Sequence, residues 1–196
     1  MPSIITAGDA TNGASLTAGS NGTLIIRSGL AGAKVNALVL AASGTATLLA
    51  PPVNAANPCF SAFQSVGQSL SAGVPTKMSC QTEEFDTANA FSAGTVVTNG
   101  DATNRFTPLI AGYYQVSAAF AVGVNATLIL EVRKNGSPFK SGATFTGCTA
   151  AANSCLVFMN GSTDFLEAYA FSSSATTISV GASSSYFQAA LISRSA

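Results

Sequence analysis

The chain has 196 residues, 47% of them apolar and 8% charged, with eight basic and eight acidic side chains and no histidine. No basic cluster is available to displace counterions from phosphate, which excludes a nucleic-acid partner. The missing histidine excludes Ser-His-Asp and Cys-His catalysis within one chain.

A charge content well below the usual value of about 25%, with zero net charge, leaves a monomer poorly solvated. Burial of surface against identical copies relieves that. The first residues, MPSIITAGDATNG, lack the basic start and apolar core of a secretion signal, so Sec export or lipid anchoring is not expected. Residues 1–50 read as short strands, SIITAG, ASLTAG, TLIIRSG, AKVNALVLAASG and ATLLA. Asn-Gly pairs at Asn12–Gly13 and Asn21–Gly22 suit tight hairpins. Ala, Gly, Ser and Thr dominate these strands, and large side chains are too few for a self-sufficient core. The segment therefore reads as a β-rich stem or attachment module stabilised by interlocking copies, or else as a flexible polar leader. Residues 51–58, PPVNAANP, carry three prolines and two asparagines, which suit an extended linker.

Residues 59–196 form the second region. Strand candidates follow in order: CFSAFQS, TKMSCQ, GTVVT, RFTPL, GYYQVSAAFAV, TLILEVRKNG, SCLVFMNG, DFLEAYAFS, TTISVGA and YFQAALIS. No window shows a helical period, so the region is expected to be an all-β sandwich or jelly roll of about ten strands. Arg105 and Glu131 enclose twenty-five uncharged residues. Pro108, Gly112, Gly123 and Asn125 interrupt them too often for a spanning helix, and no membrane insertion is expected. Tyr114, Val116, Ala118, Phe120 and Val122 alternate with Gln115, Ser117, Ala119 and Ala121, which is the period of a strand. Alternation resumes at Leu128, Leu130 and Val132 after Gly123-Val124-Asn125, so a β-hairpin turning at those three residues is expected.

The polar residues offer several sites, each with a plainer reading. Glu83, Glu84 and Asp86 in TEEFDT are the only acidic cluster. They are either a carboxylate pair of the glycoside-cleaving kind or part of a solvated connector, and the connector is favoured. Glu83, Asp86 or Asp101 is a calcium-ligand candidate, with a solvated turn as the alternative. Cys148 and Cys155 in GCTAAANSC either close a short loop as a disulfide or remain thiols, like Cys59 and Cys80, that pack as small hydrophobes. No CxxC pair occurs, so zinc is not expected, nor is any cofactor. The turn RKNG, residues 133–136, is a charged hairpin end or a basic contact spot. Tyr169 and Tyr186 are sugar-stacking candidates, with core or interface packing favoured.

FSAF, EEFDTANAFSAGT, NRFTPLIAGYYQVSAAFAV, LILEVRKNG, SCLVFMNGSTDFLEAYAF and YFQAALI resemble the successive strand signatures of complement C1q globular heads and the related tumour-necrosis-factor jelly rolls. The most specific element is RFTPLIAGYYQV, with Phe106, Pro108 and Gly112 ahead of the tyrosines Tyr113 and Tyr114. The resemblance runs from residue 59 to about 193. One departure is that Ser162 and Thr163 separate Gly161 from Asp164 where the family has Gly-Asp, which leaves Asp164 a turn-forming role. The resemblance implies a ten-stranded jelly roll assembling as a homotrimer. It places Tyr113, Tyr114, Val116, Phe120, Tyr186, Phe187 and Leu191 in the core or at the threefold interface. Residues 1–50 are similar to segments that precede such domains in tailed-bacteriophage fibre and virion-surface proteins. The implied protein is a non-enzymatic virion component made in the host cytoplasm. Residues 1–50 would dock on other virion proteins, and the head would bind a glycan or protein receptor on the host surface. The alternative implied role is a capsid decoration, cement or head-fibre protein.

Overall fold

The computed structural model describes residues 24–28, 35–40, 46–48, 57–95 and 99–195. The chain divides into two compact units, Met1–Asn54 and Ala55–Ala196. No described residue is helical, and accordingly no helix is long and apolar enough to cross a membrane.

In the first unit, β1 (Leu24–Ser28), β2 (Val35–Leu40) and β3 (Ala46–Leu48) form an antiparallel meander in that order. Leu24 faces Leu40 and Leu38 faces Leu48, with a bulge between Ile26 and Arg27. These strands fall in TLIIRSG, AKVNALVLAASG and ATLLA, where β-branched and leucine residues concentrate. The strands expected at SIITAG and ASLTAG, both Asn-Gly turns and residues 51–56 of the linker lie outside the described residues.

The second unit contains β4 (Cys59–Phe63), β5 (Gln68–Leu70), β6 (Thr76–Lys77), β7 (Thr82–Asp86), β8 (Phe91–Ser92), β9 (Arg105–Phe106), β10 (Ala111–Lys134), β11 (Ser137–Ser141), β12 (Phe145–Asn160), β13 (Leu166–Ser172), β14 (Thr176–Ile178) and β15 (Tyr186–Arg194). Their order is β7-β4-β15-β10-β13-β9-β8, with β11, β12 and β14 also on β10, β5 on β14 and β6 on β13.

β10 organises the unit and corrects the expected hairpin. Its first half pairs with β15 on one side and β12 on the other, as in Ala118 opposite Phe187 and Val116 opposite Cys155. Its second half pairs with β13, from Leu128 opposite Ser172 to Lys134 opposite Leu166, and with β11. The two halves do not pair with each other. Between Ala121–Ala150 and Ala126–Cys148, four β10 residues oppose one on β12. This bulge bends the strand and passes it from one layer to the next. Gly123, Val124 and Asn125 bow outward there, exposed.

The side chains between the layers are the more apolar of the two alternating sets. Tyr114, Val116, Phe120, Leu128, Leu130 and Val132 are all buried. The ring of Phe60 stacks on Phe91 at 4.4 Å and on Phe106 at 4.6 Å, and meets Phe187 edge-on at 5.0 Å. Tyr114 donates its hydroxyl hydrogen to the Ile110 carbonyl at 2.8 Å, which lets a phenol sit in this core without an unmet polar group. Among the described residues twelve strands therefore replace the expected ten. β5, β7, β8, β11 and the first half of β12 fall outside the ten strand candidates. Of GTVVT, Gly94 and Thr95 are loop and the rest lies outside the described residues.

Candidate interface and the polar cluster behind the opposite layer

The period of two that buries one face of β10 presents Tyr113, Gln115, Ser117, Ala119 and Ala121 outward. The pairing register sets Leu156 and Phe158 of β12 and Tyr186, Gln188 and Ala190 of β15 beside them. No charged side chain occurs among these positions. Tyr113 is 50% exposed, Leu156 54% and Phe158 41%, and the Tyr113 and Phe158 rings lie 5.4 Å apart. Gln115 Nε2 donates to Ser154 Oγ at 2.7 Å, and Ser154 Oγ donates to the Val116 carbonyl at 3.1 Å, so the polar groups in the middle satisfy one another. Two depressions indent the face. One, of about 540 Å³, is lined by Ala119, Ala121, Phe145, Cys148, Ala150, Ala152 and Tyr186. The other, of about 260 Å³, is lined by Cys59, Phe85, Gln115, Ser117, Gln188 and Ala190. Among the described residues β12 pairs only with β10, leaving its other side open. Its stretch from Ala150 to Asn160 contains neither charge nor proline, the usual protections of a free edge, and a charge from elsewhere reaches it at Phe158, where Lys134 Nζ donates to the carbonyl at 2.7 Å.

The residues assigned jointly to core and threefold interface thus separate into two sets. Tyr114, Val116, Phe120, Phe187 and Leu191 are buried inside, whereas Tyr113 and Tyr186 sit on the outward face.

The opposite layer holds a cluster that no sequence motif marks. Lys77 Nζ donates to the Asp101 carbonyl and to Asp101 Oδ1, both at 2.7 Å, to the Thr103 carbonyl at 3.0 Å and to Glu167 Oε1 at 3.3 Å. Arg105 Nε donates to the same Glu167 oxygen at 2.8 Å, and its guanidinium covers the Phe165 ring. The Lys77 and Glu167 side chains are both fully buried, and Glu167 Oε2 has no partner. Paired burial of this kind stabilises little by itself, but loss of one partner strands the other. The cluster straps the segment after Gly100 over β13.

Each remaining candidate has a definite place. Asp101 is committed to Lys77 and to Thr103, whose N–H and Oγ1 reach it at 3.0 and 2.7 Å. Asp86 accepts from the backbone N–H groups of Ala88 and Phe91, a turn-forming use. Glu83, Glu84 and Asp86 do not lie in a connector, because β7 is an edge strand on β4. The register shift between Ser61 and Ala62 makes Glu84 the bulged residue and brings its carboxylate to Ser61 Oγ at 2.6 Å. Neither depression includes Glu83 or Glu84. No group of three Asp, Glu or Cys residues among those described is arranged to hold a metal ion.

In RKNG, Arg133 grips Glu131 Oε2 through Nε and Nη2 and covers Tyr169, while Lys134 reaches Asp164 at 2.8 Å. These charges are therefore engaged locally. Asp164 also accepts from Asn135 Nδ2 and the Asn160 N–H, tying two turns together. Burial pushes its pKa up, but the hydrogen bonds from Asn135, Lys134 and Asn160, together with the Lys134 charge, outweigh that and hold it below the usual carboxylate range.

All four cysteines are free. The interval between Cys148 and Cys155 is extended strand rather than loop, which sets the two about 23 Å apart along β12 and corrects the bridge. Burial pushes the Cys80 thiol up to about 12.

No family model and no curated protein matches the sequence. Among solved structures, murine APRIL at pH 8.0 superposes with a TM-score of 0.50 at 7% identity, covering 69% of this chain and 99% of that one. The second unit has a TNF-like jelly-roll fold. Eiger TNF from S. frugiperda gives a TM-score of 0.47 at 9% identity, over 71% of this chain and 95% of that one. At such identities the jelly-roll likeness is one of fold.

Proposed function

We propose that this chain is a structural virion protein, a homotrimeric phage tail fibre whose jelly-roll head binds the host surface. The observation that supports assembly is the outward face of β15, β10 and β12, whose own positions carry no charged residue and which ends at a β12 edge that is unpaired among the described residues. Burial at about 25 cal/mol per Å² of apolar surface favours covering such a face. Three heads on one axis engage a surface together and multiply weak individual contacts. In this reading residues 1–50 attach the trimer to other virion proteins, and the receptor is a glycan or protein of the host envelope.

Native mass spectrometry of the purified chain is expected to give a trimer, and a monomer would overturn the assembly. Electron microscopy of particles labelled with antibody to the head is expected to place it on the tail, with the same antibody blocking adsorption. Label spread over the capsid, with heat-sensitive particles when the protein is removed, would replace the fibre by a capsid decoration protein.

A further inference from the structure

Threefold closure cannot set a patch against itself, so two different surfaces of the chain must meet. The outward face is bounded by two edges of opposite character. On one side lies β7, where Glu83 and Glu84 are exposed and neither enters an ion pair among the described residues. The bulge holds Glu84 on Ser61, beside the depression that Cys59 and Phe85 line. On the other side lies the open edge of β12. Next to it is Lys140 of β11, exposed, without an ion pair among the described residues, and tied to β12 by Asn153 Nδ2 donating to its carbonyl at 2.8 Å.

Resting on the trimeric reading above, we infer that the copies join head to tail, with the β12 edge and Lys140 of one copy seated on the β4–β7 side of the next and the ammonium facing Glu83 and Glu84. The occupant of the apolar face is therefore a second copy in a defined register. The match of charges selects that register over others, because an ammonium set down elsewhere on this face meets no carboxylate. The same seating covers the free side of β12 and fills the depression beside Phe85.

The test uses the full chain in three forms: Lys140→Glu, the double variant Glu83→Lys/Glu84→Lys, and all three substitutions together. Subunit exchange between light and nitrogen-15-labelled trimers is followed by native mass spectrometry. Each charge reversal alone is expected to speed exchange by roughly tenfold or more, and the combined form to return toward the wild-type rate. Unchanged exchange in the single reversals, or a combined form as fast as they are, overturns the register and leaves the trimer standing. A wild-type chain found monomeric overturns the trimer itself, and the register with it.

Discussion

Lys77 sits with its ammonium sealed among four oxygens, on a strand of only two residues. Replacing it by methionine is expected to destabilise the head by about 3–5 kcal/mol in urea unfolding, because Glu167 loses a buried cation. Lys77→Met combined with Glu167→Leu is expected to recover part of that loss. The pair was illegible in the sequence, since ninety positions separate its members and only the folded layer brings them together. Asp164, in contrast, was readable as a turn residue from its place after Gly161. Because its pKa is lowered on folding, it stabilises the fold fully above the unfolded value of about 3.9 and ceases to do so as pH falls through the lower folded value. Asp164→Asn should therefore cost stability at neutral pH, and its difference from wild type should shrink in acid, as denaturant midpoints across that range would show. Cys80, whose thiol stays protonated at pH 8, is expected to escape iodoacetamide in the folded protein and to react after unfolding, which peptide mass mapping reads directly.

At the scale of elements, β10 separates what a sequence pattern carries from what it does not. The inward set, Tyr114 to Val122, was legible because burial between two layers imposes a period of two on the side chains. The alternation of Leu128, Leu130 and Val132 was legible too, but not its continuity with Tyr114 to Val122 through Gly123–Asn125, although the even-numbered positions stay inward on both sides of that bulge. Gly123 and Asn125 read as a hairpin turn because the partners that hold the strand open, Ile178 of β14 and the single opposing residue of β12, are remote in sequence. Likewise, SCLVFMN reads as a strand but hides the outward Leu156 and Phe158, since a continuous apolar run does not name its buried face. Gly112 shows the same dependence on neighbours. A Cβ there would meet the Ser193 carbonyl and lie 2.7 Å from Leu191 Cδ1, so only glycine fits against β15. Gly112→Ala is expected to cost about 1–3 kcal/mol in equilibrium unfolding by forcing β15 aside.

For the whole molecule, the fold was legible from a few residues around Phe106, Pro108 and Gly112, whereas the uncharged outward face of β15, β10 and β12 emerged only from strand order. Composition led to the expectation of surface shared between copies, and it did not say which surface. Leu156→Glu places a carboxylate in the middle of the outward face, opposite Gln115. It is expected to shift the assembly to monomers in native mass spectrometry while leaving the circular dichroism of the strands intact. An unchanged oligomer would move the interface elsewhere. The entry of the chain into the head has a mechanical side. Pro58 accepts from the Leu191 N–H, and β4 starts at the next residue, flanked by β15 and β7. Tension applied at Asn57 runs along the axis of β4, at right angles to its hydrogen bonds. The rungs from Cys59–Ala190 to Phe63–Tyr186 then share the load in shear and do not peel one after another. A load that enters the unit through this strand is therefore met by every rung at once.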